Sequence, residues 1–256
     1  MLYAEQQSLT GCGVEVTEAN CMEFPNELGS ERYALLARLR GFCFPGGEDY
    51  GRSVFAIRTT EQGEMRTSPS ARWLPFTPEQ VIEARRSSFR WEARYQGGRM
   101  SWIGVTDAYE EGHGRLVVKL GGVIPVQKVQ GPEADRGELQ RYLASIVLCP
   151  SIVLNHGSLD WTAVGPLSLR VRDRADPTGA TVDVDLSEDG CPLACRADRP
   201  RMIGKQAVLT PWSGSCAEFK EWEGLRAATR LDVSWSLPDG PFTYYRSEVV
   251  SFKVVR

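Results

Sequence analysis

The chain has 256 residues, 42% hydrophobic and 25% charged, and 30 Lys+Arg against 33 Asp+Glu leave a net charge of −3. This is the composition of a globular protein, and so small and mixed a charge argues against a nucleic-acid or anionic-membrane partner. The opening MLYAEQQSLTGCGVEV has no basic n-region or apolar h-region of a signal peptide, and no apolar run reaches the length of a membrane span. A cytoplasmic location without stable membrane insertion is therefore expected.

Residues 1–28 lack clear periodicity and read as an N-terminal arm, with a strand near Gly13–Val16. SERYALLARLRGF then predicts a short helix: Ser30 as cap, Tyr33, Leu36, Ala37 and Leu39 at helical spacing, and Gly41 as stop. From Tyr50 the period changes to two. GRSVFAIRTT, SFRWEARYQG, MSWIGVTDAYEEGHG and RLVVKLGGVIPVQKVQG are rich in β-branched and aromatic residues and broken by Gly, Pro and Asp. RLVVKL and GGVIPVQKV read as adjacent strands around a Gly-Gly turn or a bulge. TPEQVIEARRSSF has helical propensity but continues into an alternating pattern, so most of it is expected to be strand.

At the midpoint, GPEADRGELQRYLASIVLCP (131–150) predicts the one clear helix of the C-terminal four-fifths of the chain. Leu139, Tyr142, Leu143, Ile146 and Val147 form its apolar stripe. Asp135 and Glu138 form a D-x-x-E capping box, and Glu138 and Arg141, three apart, can pair. Strands resume after Pro150. Gly190 in SEDG and the Gly of LPDGPF mark turns that need a positive φ. No linker, low complexity or fixed repeat divides residues 29–256, which read as one domain: a single antiparallel sheet of about ten strands, too wide to stay flat. The seven cysteines (Cys12, Cys21, Cys43, Cys149, Cys191, Cys195 and Cys216) are odd in number and irregularly spaced, which fits free thiols. CPLAC is neither a redox CxxC nor half of a zinc site, and no metal or cofactor is expected.

RWLPFTPEQ, DAYEEGHGRLVVKLGGVIPV, GPEADRGELQRYLASIVLCPSIVL, LDWTAV and the C-terminal PWSG and VSWSLPDGPFTYYRSEV, in this order, resemble a large bacterial family of uncharacterised proteins known as a domain of unknown function. The resemblance covers about residues 33–252. Where such proteins usually carry Glu-Ala-Val-Trp-Phe-Pro late in the helix, this chain has Ser145 to Pro150, so an acidic group is missing there. The last motif more distantly resembles LolA-like lipoprotein carriers. That resemblance implies a mainly β fold: one curved antiparallel sheet forming a LolA-like or lipocalin-like half-barrel, closed by the central helix, with an apolar cavity between.

Within that architecture the expected function is binding of a hydrophobic or amphipathic small molecule. The alternative is a cavity enzyme of cyclase or isomerase type, working by acid–base catalysis on an apolar substrate. Its candidate catalytic residues are Asp135, Glu138, Arg141, His113 and Tyr142. Capping plus a surface pair accounts for every one of the helix charges, and the sequence leans toward that reading. His113, between two glycines, and His156, in LNHGS, each read either as an acid or base or as an exposed turn residue. No Ser–His–acid arrangement can be argued from spacing, and G-x-S-x-G is absent. Trp73, Trp91, Trp102, Trp161, Trp212, Trp235 and Tyr244 are spread over the strands and are candidates to line the cavity; packed core is the competing reading.

Overall fold

The computed structural model describes residues 24–96, 102–204 and 206–256; of residues 24–28, Gln96 and Trp102 only the backbone is described. Two helices, α1 (Phe24–Cys43) and α2 (Glu48–Arg52), precede six strands: β1 (Ala56–Met65), β2 (Leu74–Glu83), β3 (Phe89–Gln96), β4 (Trp102–Glu110), β5 (His113–Leu120) and β6 (Ile124–Val129). Then come α3 (Pro132–Ala144), a 3-10 turn (Ser145–Val147) and α4 (Ile152–Asn155). Seven strands follow: β7 (Leu159–Gly165), β8 (Ser168–Asp173), β9 (Thr181–Leu186), β10 (Pro192–Ile203), β11 (Gln206–Trp222), β12 (Leu225–Leu237) and β13 (Gly240–Val255).

The thirteen strands among the described residues form one antiparallel sheet, ordered β6-β5-β4-β3-β2-β1-β13-β12-β11-β10-β9-β8-β7. Two meanders, β1–β6 and β7–β13, are joined in the middle by the first strand pairing with the last, Ala56 opposite Val255. The free edges are therefore β6 and β7, which are consecutive strands in the chain. Accumulated twist curls so wide a sheet, and the segment joining its two edges must cross the gap between them. That segment holds α3, which packs against β4 and β5 near one edge and β9 and β10 near the other. The architecture is a curved, unclosed half-barrel with a helix across its opening.

Backbone contact fixes the helix to the strands. Gly114 at the start of β5 has no room for a side chain: a Cβ there would lie 2.2 Å from the Ala134 carbonyl oxygen. Its N–H donates to Asp135 Oδ1 at 2.7 Å. On the other side Gln140 Nε2 donates to the Asp198 carbonyl of β10 at 3.0 Å, and on the first side Tyr142 Oη donates to the Glu83 carbonyl of β2 at 2.9 Å. Leu139, Tyr142 and Leu143 share one buried cluster with Leu35, Leu36 and Leu39 of α1. Pro125 lies in edge strand β6 beside a register shift at Val118/Lys119, where a missing N–H is tolerated.

Several sequence expectations need correction. The expected strand at Gly13–Val16 lies outside the described residues. The N-terminal helix is 20 residues long, not short: Ser30 and Gly41 are interior to it, and the chain turns only at Phe44-Pro45-Gly46-Gly47, with Gly47 at φ 103°. Gly41 weakens a helix without stopping it. The central helix begins at Gly131 (φ 109°) and Pro132 and ends at Ala144, earlier than Pro150, because β-branched Ile146 and Val147 and the approaching Pro150 favour a tighter turn. There is no capping box: the N-cap is Gly131 without a side-chain hydrogen bond. Thirteen strands replace about ten. The Gly-Gly hairpin stands, with Gly121 and Gly122 at φ 63° and 76°, as do the turns at Gly190 and Gly240 and strand through Glu83.

Candidate functional site

A cavity of about 710 Å³ lies between the sheet and α3, lined from β1–β6 and β10–β13. Its wall is mostly apolar, with Met65, Leu74, Ile103, Val105, Leu116, Val118, Leu231 and Val233 beside Trp91, Tyr95, Trp212 and Trp235. Its volume falls within the ~300–1,000 Å³ of small-molecule sites. Gln127, Glu133 and Met202 line it and are exposed, which places them at its rim.

The helix is buried on two faces. One face carries the apolar stripe into the core; Ala134, Gly137, Glu138, Arg141, Ala144 and Ser145 line the cavity at helical spacing. Glu138 and Arg141, which read as cap and surface pair, thus point inward. Glu138 and Arg141 do not bond each other. Arg141 Nη1 donates to Asp107 Oδ2 of β4, and its guanidinium lies 5.0 Å from the ring centroids of Phe89 and Trp91. Glu138 Oε1 lies 3.7 Å from Arg199 Nη2 of β10, which donates to the Gly137 carbonyl at 2.7 Å. The Arg199 guanidinium lies 4.8 Å from the Trp212 ring centroid.

Two further polar groups enter the wall from the middle of the sheet. Glu61, 1% exposed, accepts from Tyr245 Oη at 2.6 Å and from Thr59 Oγ1 at 3.5 Å. Gln80 lies on the neighbouring strand. Trp212 Nε1 donates to Tyr244 Oη at 3.0 Å. Burial pushes the Glu138 carboxyl up to about 7, against the opposing pull of Arg199. Burial lowers the pKa of the Arg141 guanidinium. Burial and the neighbouring Glu61 raise that of the Tyr245 phenol. The cavity therefore holds a carboxyl whose charged form burial disfavours and an acid–phenol hydrogen bond within an apolar wall.

The structure divides the sequence candidates. Glu138 and Arg141 line the cavity, as do Trp91, Trp212, Trp235 and Tyr244. Asp135 and His113 meet outside it, 3.7 Å apart, with His113 exposed at the start of β5. Tyr142 is fully buried on the opposite helix face. Trp161 is buried in the core without lining the cavity. Trp73 lies against Arg66 and Arg246, each guanidinium 4.5 Å from its ring centroid, and is not part of the wall. The Trp102 side chain lies outside the described residues. Glu61, Gln80, Asp107 and Arg199 were not anticipated. Their signal was a polar residue on the inward phase of an alternating strand, such as Asp107 two residues after Val105 and four after Ile103.

His156 is not an exposed turn residue: its side chain is 3% exposed. It joins a closed ring away from the cavity. Ser87 Oγ and Ser158 Oγ each donate to Asp173 at 2.6 Å and contact His156 Nε2 and Nδ1 at 3.1 and 3.2 Å. A relay of the serine-protease kind needs the acid on the imidazole; here the acid holds the serines. The ring is a brace between the β2–β3 turn, the α4–β7 connection and the end of β8. Among the described residues no group of three or more His, Cys, Asp or Glu is arranged to hold a metal ion. Cys43, Cys149, Cys191, Cys195 and Cys216 are free thiols, and no described helix is long and apolar enough to cross a membrane.

Residues 36–253 match the family described as "Family of unknown function (DUF6920)". No curated protein matches the chain. Among solved structures, a LolA superfamily protein from Nitrosomonas europaea is similar at 10% identity, covering 88% of this chain and 94% of that one, with a TM-score of 0.49. A DUF1329 family protein from Desulfovibrio piger is similar at 10% identity, covering 89% and 92%, with a TM-score of 0.48.

Proposed function

We propose that this chain, which belongs to the DUF6920 family, binds a hydrophobic or amphipathic small molecule in the cavity beneath α3. The carrying observation is the cavity itself: about 710 Å³ lined by apolar strand residues and one helix face, with a few polar groups converging on it. A packed interior normally leaves few voids larger than a water molecule. Native mass spectrometry of the purified protein, with displacement of the neutral fluorophore N-phenyl-1-naphthylamine, tests it. A co-purifying apolar molecule, or saturable probe binding abolished by the cavity-filling substitution Ala144→Trp, supports the proposal. A chain that is empty and does not bind the probe refutes it.

A second reading, acid–base catalysis on a bound apolar substrate, is favoured by one feature: the Glu138 carboxyl is pushed up to about 7 inside the cavity, near the pH at which a general acid or base is most effective. Turnover that follows a pH profile lost in Glu138→Gln distinguishes a catalyst from a carrier.

A further inference from the structure

The polar groups of the cavity wall form an incomplete hydrogen-bond set, and the missing part has a definite chemistry. Three carboxyl groups, of Glu61, Asp107 and Glu138, face the guanidiniums of Arg141 and Arg199, and Glu133 and Arg201 also line the cavity. Both Glu61 oxygens are engaged, by Thr59 and Tyr245. Four wall atoms are buried without a partner: the acceptors Asp107 Oδ1 and Glu138 Oε2, and the donors Trp91 Nε1 and Arg199 Nε. They fall into two donor–acceptor sets. Trp91 and Asp107 stand opposite each other in the β3–β4 pairing, and Glu138 and Arg199 are ion-paired at 3.7 Å. Trp91 is 4% exposed and the Asp107 side chain 9%, and the Arg199 and Glu138 side chains are 10% and 14% exposed.

A hydroxyl is both donor and acceptor and can answer either set. A carboxylate or phosphate can use only the donors; it leaves buried acceptors unpaired and adds negative charge beside three acids. An ammonium can use only the acceptors. We infer that the ligand's polar end is a neutral, hydroxyl-bearing group, as in a long-chain alcohol or a monoacylglycerol, and that the cavity discriminates against ionised headgroups on the same chain. This rests on the proposed ligand-binding role and narrows it.

The test uses the full chain at pH 8 and ligands of equal chain length displacing N-phenyl-1-naphthylamine: dodecanol, 1-monolauroylglycerol, dodecanoate and dodecylammonium. The two hydroxyl ligands are expected to bind about 10- to 100-fold more tightly than either ion, the scale of leaving buried polar partners unpaired. Ions binding within about twofold of the alcohols overturn the inference while ligand binding stands. Displacement of the bound probe by none of the four also overturns the inference, while failure of the probe itself to bind overturns the binding role. In Glu138→Gln, and separately Asp107→Asn, one acid becomes an amide that both donates and accepts, so the alcohol-over-dodecanoate ratio should fall about tenfold. An unchanged ratio in a folded variant assigns the polar end elsewhere and refutes the inference.

Discussion

Arg141→Met is the most informative single perturbation of this fold. Arg141 is the cation hydrogen-bonded to Asp107, and their side chains are 22% and 9% exposed. Methionine keeps the aliphatic stem against Phe89 and Trp91 and removes the charge. Asp107 is then a buried carboxylate with neither oxygen paired, since its Oδ1 already lacks a partner. Breaking a buried pair on one side costs about 3–5 kcal/mol. At about 2–4 °C per kcal/mol for a domain of this size, the melting temperature should fall by roughly 6–20 °C. The double variant Asp107→Leu/Arg141→Met removes both charges and should lie within about 1 kcal/mol of the native chain, because an apolar pair avoids the desolvation cost. Urea unfolding followed by tryptophan fluorescence, with a thermal scan at pH 7, measures all three. Protonating the stranded Asp107 lessens the penalty, so the single-variant deficit should shrink toward pH 4. A loss below about 1 kcal/mol for Arg141→Met would mean that water reaches the pair freely, and the enclosed polar cluster would then be wrong.

Three other outcomes follow from the same contacts. The folded chain holds the Glu138 proton more tightly than the unfolded chain, with a pKa of about 7 against 4.5; native stability should therefore decline by about 3 kcal/mol as pH rises from 4.5 through 7 relative to Glu138→Gln, checked by urea midpoints across that range. Gly114→Ala would force a Cβ to 2.2 Å from the Ala134 carbonyl oxygen and should destabilise by about 2 kcal/mol or more, whereas Gly137→Ala meets Arg199 only at 3.8 Å and should stabilise α3 by about 0.5–1 kcal/mol in the same assay. Burial raises the Asp173 carboxyl, but hydrogen bonds from Ser158, Ser87 and the Ala175 N–H outweigh it and hold the carboxyl below its usual value; Asp173→Asn should cost about 1–3 kcal/mol at pH 7, a deficit that narrows as acid titrates the native carboxylate.

Local pattern carried the strands and turns because alternation and positive-φ glycines are short-range properties. The cavity charges are a different case. Asp107 in WIGVTDAYE reads as solvent-facing until the strand's phase is known, and both phases of that segment carry apolar residues: Trp102 and Ala108 on one, Ile103 and Val105 on the other. Which face is inward depends on strands more than a hundred residues away, through the pairing of β1 with β13. The helix charges were visible but misplaced. D-x-x-E reads as a capping box only if the helix starts at Asp135, and Gly131-Pro132 starts it four residues earlier. Asp135 is then one turn inside, free to hold the β5 backbone, and Glu138 and Arg141 turn inward with Gly137.

The position of the helix in the chain has a topological cause. When the first strand pairs with the last, the two halves of the chain become the two halves of the sheet, and the outermost strands are those flanking the midpoint. The chain between them has to bridge the concave side. A bridge that met water on its outer face alone could carry all its charges there. This one meets the core on one face and a cavity on another, and Glu138 and Arg141 lie on the cavity face, each paired to a strand rather than to its neighbour. Pairing across the gap ties opposite sides of the half-barrel, β4 through Asp107 and β10 through Arg199, to a single helix face. Widening the opening therefore has to break at least one of the two pairs, so closure of the sheet rests on these charged contacts.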